Sequence, residues 1–122
     1  MTPRQERRAS PRVAERVALA IADAGTTLQT ETKNLSASGA YCTLDRFVAP
    51  MTKLQLQFEL PNGARTAKIR CSGVVVRIEP VVATADRGLY NVAIFFTELA
   101  ERDRSTIARF VQRRLAGSPS PT

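Results

Sequence analysis

The first sixteen residues of this chain are rich in arginine, whose guanidinium group binds anions. They are Arg4, Arg7, Arg8, Arg12 and Arg16, and no lysine lies among them. A guanidinium presents a planar fork of donors that grips phosphate in a bidentate manner and stacks on a base. The whole chain holds fifteen arginines and three lysines. The chemistry predicted for this segment is therefore recognition of a phosphorylated ligand.

A second polar stretch, "NLSASG" at residues 34–39, has the composition of a turn that binds through hydrogen bonds. Asn34, Ser36 and Ser38 carry short polar side chains, and Gly39 permits a positive φ or a close backbone approach. Polar side chains and backbone amides gathered in such a turn form a pocket for a base edge or a phosphate. Taken alone, these residues are also typical of an ordinary turn between two strands.

The two stretches together contain a pair of motifs that resembles a known family. Arg8 and Arg12 form an RxxxR motif, and Asn34, Ser36 and Gly39 form a [D/N]xSxxG motif further along the chain. This pair, in this order, resembles the PilZ domain, the bacterial receptor for the second messenger cyclic di-GMP. The stretch "YNVAIFFTELAERDRSTIARFV" at residues 90–111 is similar to the last strand and terminal helix of that family.

The resemblance implies a fold and a set of ligand contacts. The implied fold is all-β, a six-stranded antiparallel β-barrel with a C-terminal α-helix and with the arginine-rich segment folding over the barrel surface. Arg8 and Arg12 would hold phosphates and guanine edges. Asn34, Ser36 and Gly39 would recognise a guanine edge and the ligand backbone.

Three positions modify what the resemblance implies. Asn34 stands where many members of the family have aspartate, and it lacks the charge that pairs with guanine N1–H and N2–H, so weaker binding is expected. Ala93 stands where a glycine is frequent. Arg7 extends the first motif to RRxxxR, and a third guanidinium suits two stacked cyclic di-GMP molecules, whose phosphate charges repel each other. We therefore predict Arg7 as a further binding residue and a stacked ligand dimer, the alternative being that Arg7 points to solvent.

Hydrophobic periodicity predicts the strands and the helix that hold these residues. Strict alternation in "KLQLQFEL" at 53–60 predicts a strand with one buried face, formed by Leu54, Leu56, Phe58 and Leu60. Near the end the period changes to that of a helix, whose apolar stripe is Ile107, Phe110, Val111 and Leu115. The arginines of that helix are expected to form a solvated face with pairs such as Glu98 to Arg102.

These patterns divide the chain into three segments. Residues 1–12 are predicted to be a flexible, arginine-rich arm that binds ligand, and residues 117–122 a disordered tail. Residues 13–116 are predicted to form the PilZ-like barrel with its C-terminal helix. We call residues 1–12 the arm.

Composition narrows the class of function. The chain has 122 residues, 43% of them hydrophobic, and a net charge of +7, which indicates one domain and an anionic partner. It has no histidine, so the commonest general base and histidine-containing zinc sites are absent, and neither an enzyme, a metal nor a cofactor is predicted. Cys42 and Cys71 lie in apolar, strand-like runs and read as buried thiols. The start of the chain lacks the apolar segment of a signal peptide, so a cytoplasmic location without membrane insertion is expected.

The function predicted is that of a single-domain cyclic di-GMP receptor that orders its arm on binding and so signals to a protein partner. One alternative is a PilZ-like adaptor that contacts protein and binds no nucleotide. Another is a basic barrel that binds nucleic acid. The latter usually places several aromatic residues on one exposed strand face, whereas the aromatic residues here have core-like spacing, so nucleic acid is disfavoured.

Overall fold

A computed structural model describes residues 11–81 and 88–116 of the chain. Those residues form seven strands and one helix: β1 (Arg12–Val13), β2 (Ala18–Asp23), β3 (Thr26–Ser36), β4 (Gly39–Leu44), β5 (Lys53–Asn62), β6 (Arg65–Pro80), β7 (Tyr90–Glu98) and α1 (Glu101–Ala116). Arg7, Arg8 and the tail at 117–122 lie outside the described residues. Arg12, expected at the end of the arm, is instead part of strand β1.

Six of the strands close into an antiparallel barrel. The order around it is β3-β2-β5-β6-β7-β4, and β4 pairs with β3 to complete the circle. Closure removes the unpaired edges that short strands would otherwise expose. The predicted six-stranded antiparallel barrel with a C-terminal helix is confirmed, and the short β1 is an addition to it that pairs with the end of β3.

The core fills the barrel with the side chains that alternation predicted. Leu54, Leu56, Phe58 and Leu60 of β5 are all buried, while the residues between them are exposed. Cys42 and Cys71 are buried as expected, and burial raises the pKa of the Cys42 thiol to about 12. Because a buried large apolar side chain contributes roughly 1.5–3 kcal/mol, this face is the main source of stability for the scaffold beneath the two motifs.

Helix α1 packs against the barrel with a stripe that differs from the prediction at its last member. Ile107, Phe110 and Val111 are buried, but Leu115 is 53% exposed. At 3.6 residues per turn, Leu115 lies about 80° around the helix from Ile107, whereas Arg114 lies only about 20° away. Arg114 therefore lies nearer the buried stripe, and its side chain, 44% exposed, places the guanidinium 4.8 Å from the centre of the Phe110 ring.

Candidate functional site

The end of the arm and the [D/N]xSxxG motif lie side by side on the barrel. Arg12 pairs with Ser36 and Val13 with Leu35 in an antiparallel ladder between β1 and β3. The Arg12 Nη1 donates a hydrogen bond of 2.7 Å to Oδ1 of Asn34. The second arginine of RxxxR is thus joined to the first residue of [D/N]xSxxG, and both side chains lie at the outer surface of the barrel.

Asn34 reaches this position through an irregularity in β3. Thr32 pairs with Cys42 but Asn34 pairs with Tyr41, so the register between β3 and β4 shifts between Thr32 and Asn34. Thr32 and Leu35 are both buried, a spacing of three that a regular strand does not allow. The bulge therefore turns Asn34 outward towards Arg12, a common use of bulges beside functional sites.

The hydroxyl of Ser36 holds the motif turn together. Ser36 is fully buried, and its Oγ accepts hydrogen bonds from the backbone N–H of Ser38 at 3.1 Å and of Gly39 at 3.2 Å. The Oγ atoms of Ser36 and Ser38 also lie 3.1 Å apart. Serine side chains commonly cap turns in this way. Ser36 is thus engaged with the turn, and Asn34 presents the more accessible polar group of the motif.

Gly39 occupies a place where no side chain fits. It starts β4 opposite Phe95 of β7, and a Cβ built on it would overlap the backbone carbonyl oxygen of Ile94 and lie 3.3 Å from Cα of Phe95. Those atoms belong to a strand in the middle of the sheet, so they do not move aside cheaply. The packing of β4 on β7 is a sufficient reason for the glycine of this motif.

Thr32 anchors the segment that joins β1 to β2, and sequence reasoning missed it. Its Oγ1 donates to the carbonyl of Glu15 at 2.6 Å and accepts from the backbone N–H of Val17 at 3.0 Å. The backbone N–H of Thr32 also donates to the Val17 carbonyl at 2.9 Å. Because these bonds fix the chain immediately after Val13, they fix where Arg12 lies.

Two arginines of α1 join the helix to the same region. Arg104 Nη1 donates a 2.9 Å hydrogen bond to the carbonyl of Ala37 inside the motif turn. Arg114 forms an ion pair with Glu15 at 3.4 Å. The expectation of a purely solvated arginine face is therefore wrong for these two residues.

The expected pairing of Glu98 with Arg102 is also replaced by other contacts. Glu98 accepts a hydrogen bond from Ser72 at 3.1 Å and one from Lys53 at 3.4 Å. The Ser72 hydrogen bond and then the charge of Lys53 lower the pKa of the Glu98 carboxyl. Glu98 therefore links β5, β6 and β7 through Lys53 and Ser72.

Comparison with models of known protein families identifies the family of this chain. A model of the PilZ domain matches residues 6–113, which include both motifs. The chain belongs to the PilZ domain family. Its predicted membership is confirmed, and PilZ domains act as receptors and adaptors. The matched range includes Arg7 and Arg8, whose placement lies outside the described residues.

Solved structures show the same fold at low sequence identity. The chain is similar to the Bacillus subtilis inhibitor of motility, MotI/DgrA, with a TM-score of 0.81 at 22% identity over 98% of this chain and 59% of that one. It is similar to the PilZ domain of YcgR from Escherichia coli, solved with c-di-GMP, with a TM-score of 0.63 at 14% identity over 93% and 99%.

A third similar structure is PlzA of Borreliella burgdorferi in complex with c-di-GMP, with a TM-score of 0.62 at 7% identity over 97% of this chain and 56% of that one. The chain thus spans little more than half the length of MotI/DgrA and of PlzA. None of the curated proteins is significantly similar to it. Across residues 11–81 and 88–116, no helix has both the length and the apolar character that crossing a membrane requires.

Proposed function

We propose that this PilZ domain is a receptor for cyclic di-GMP. The observation that carries the proposal is the hydrogen bond from Arg12 Nη1 to Asn34 Oδ1, which brings the two motifs to one exposed patch of the barrel. Arginine suits both halves of the ligand, because its fork matches a phosphodiester and also the O6/N7 edge of guanine. Asn34 offers an amide that both donates to and accepts from a guanine edge.

Arg7 and Arg8 complete the proposed site from the arm. In the proposal Arg8 and Arg12 hold the phosphates, Asn34 and the backbone of the Ser36–Gly39 turn recognise guanine, and Arg7 neutralises the additional charge of a second ligand molecule. The arm then orders over a stacked cyclic di-GMP dimer. Support for this reading comes from Arg12, which pairs with Ser36 and whose side chain donates to Asn34 at the outer surface of the barrel.

Calorimetric titration of the chain with cyclic di-GMP tests the proposal. Several charge-assisted hydrogen bonds of roughly 1.5–3 kcal/mol each are expected to give a Kd near micromolar, with two ligand molecules bound per chain. Saturating ligand is also expected to raise the Tm by mass action. GTP and single-stranded DNA serve as controls, and Arg7→Leu is expected to lower the stoichiometry towards one.

Three results would contradict parts of this proposal. An absence of heat and of thermal shift at hundreds of micromolar cyclic di-GMP would overturn the receptor and favour the adaptor that binds no nucleotide. Saturation of the unmutated chain at one ligand molecule would overturn the stacked dimer while leaving the receptor intact. Tighter binding of DNA than of cyclic di-GMP would favour the basic barrel instead.

Signalling to a protein partner is proposed to pass through α1. The helix contacts the motif turn through Arg104 and Ala37, and it contacts the segment after the arm through Arg114 and Glu15. A ligand that pulls on Asn34 or on the arm therefore changes two anchor points of one helix. Ligand binding is thereby proposed to alter the surface of α1, to which a partner protein binds.

Arg104→Ala is expected to weaken cyclic di-GMP binding several-fold. The substitution removes the donor that binds the Ala37 carbonyl, and a hydrogen bond from a charged donor is worth about 1.5–3 kcal/mol. Without this bond, the turn that presents Asn34 is less ordered, so ligand binding must order it. Arg102→Ala is the matched control, because Arg102 is an exposed arginine on the same helix. Calorimetry and thermal denaturation measure both variants. Equal affinities for the two would show that the Arg104 contact has no part in binding.

A further inference from the structure

Four side chains from four adjacent strands form one row on the outer surface of the barrel. Asn34 of β3 pairs with Tyr41 of β4, Tyr41 pairs with Ala93 of β7, and Ala93 pairs with Arg77 of β6. We call this set the outer row. The chain neighbours of its central members point inward, since Cys42, Val92 and Ile94 are buried. Adjacent strands lie about 4.8 Å apart, so the row extends roughly 14 Å from Asn34 to Arg77.

The last member of the row is positioned by a second bulge. Val75 pairs with Ile94 and Arg77 with Ala93, so Val76 is the extra residue of β6 at this point. Val75 is buried while Val76 and Arg77 are both exposed. A bulge re-aims side chains, and this one brings Arg77 onto the same outer face as Asn34.

Arg77 has only a weak partner among the described residues. Its Nε lies 3.9 Å from Oε2 of Glu79, and the two side chains are 64% and 56% exposed. An exposed ion pair of this kind contributes about 0–1 kcal/mol. The guanidinium can therefore turn to an incoming anion at little cost.

On the Phe95 side of the row the surface is apolar and open. Val76 is 52% exposed and Phe95, two residues beyond Ala93 on β7, is 50% exposed. Ala93 is small and half-buried between Tyr41 and Arg77. Between the two guanidiniums, Arg12 beside Asn34 and Arg77 opposite, lie the aromatic ring of Tyr41 and the small Ala93. This arrangement fits a flat, dianionic ligand that carries aromatic bases.

We propose that Arg77 is a further ligand-binding residue, at the end of the site remote from Arg12, where its fork donates to a phosphate or a guanine O6/N7 edge of bound cyclic di-GMP. This inference rests on the proposed function and extends it, because neither sequence motif includes Arg77. It gives the ligand a second charged contact on the barrel itself, three strands away from the first. It also gives a role to Ala93, whose small side chain keeps the surface between the two ends open.

Titration of Arg77→Ala with cyclic di-GMP tests the inference. The Kd is expected to rise about tenfold or more, while the Tm without ligand stays within about 2 °C of the unmutated chain because Arg77 is exposed. Arg77→Lys keeps the charge but loses the fork, and it is expected to bind more weakly than the unmutated chain. Arg70→Ala is the matched control: Arg70 is an exposed arginine on the same strand that pairs with Gln57, far from the outer row.

A second control separates ligand contact from the ion pair. Glu79→Gln removes the partner of Arg77 and is expected to leave the Kd unchanged or to lower it. An Arg77→Ala variant with a Kd within twofold of the unmutated chain would overturn the inference while the proposed function stands. An equal loss of affinity in Arg70→Ala would also overturn it, since the effect would then be one of general charge. If the unmutated chain does not bind, the proposed function itself fails.

Discussion

Arg8→Ala and Arg12→Ala are each expected to lower the affinity for cyclic di-GMP by about 100-fold or more. Loss of two charge-assisted hydrogen bonds costs about 3 kcal/mol or more, and each 1.4 kcal/mol is a factor of ten in Kd. The Tm of the ligand-free chain is expected to change little, because Arg12 is exposed and its bond to Asn34 lies at the surface. Calorimetry and thermal denaturation of the same preparations measure the two quantities.

Arg16→Ala supplies the matched control for this pair. Arg16 is also an arginine near the start of the chain, its side chain is 83% exposed, and its ion pair with Glu31 is long at 3.9 Å. It is expected to bind ligand within about twofold of the unmutated chain. A comparable loss of affinity in Arg16→Ala would mean that the arginines attract the ligand by net charge alone, and unfolding of Arg12→Ala would mean that β1 is structural.

Gly39→Ala is expected to destabilise the fold by about 3 kcal/mol or more, at the upper end of overpacking substitutions. The new methyl group meets the carbonyl oxygen of Ile94, a backbone atom of the neighbouring strand. Relief requires that β4 and β7 separate where Gly39 and Phe95 pair. The Tm is expected to fall by about 10 °C or more, as measured by thermal denaturation of the ligand-free chain.

Gly88→Ala is the control for that substitution. Among the described residues, the atoms nearest to a Cβ built on Gly88 belong to the Tyr90 side chain, at 3.5 Å and beyond, which is ordinary van der Waals contact. This variant is expected to keep the Tm within about 3 °C of the unmutated chain. If Gly39→Ala were as stable as Gly88→Ala, the close approach of β4 to β7 would not be the reason for a glycine at position 39. Contact with the ligand would then have to be the reason.

These two predictions separate motif residues whose roles the sequence alone does not distinguish. Arg12 and Asn34 present polar groups at the surface, whereas Ser36 is buried in the turn and Gly39 is required by strand packing. One class is expected to change affinity and the other stability. A single motif can therefore combine residues that contact a ligand with residues that maintain the fold around its binding site.

Local patterns in the sequence were sufficient to predict the barrel, the terminal helix and the two motifs. Alternation of period two is a local property, so the buried face of β5 was readable from "KLQLQFEL", and so was the change to helical spacing at Ile107. The motif letters and their order were sufficient for the resemblance to PilZ domains. Each of these signals lies within one short stretch of chain.

Contacts between residues far apart in the sequence followed only from the folded structure. Strand register and bulges set those contacts, and a one-residue shift exchanges the faces of a strand. The bulge before Asn34 and the one at Val76 turn Asn34 and Arg77 to one surface, although 43 positions separate them in the sequence. The position of Arg114 around α1, and the reach of Arg104 to Ala37, likewise depend on how the helix lies on the closed barrel. No local pattern encodes these neighbours, because they exist only once the strands have paired.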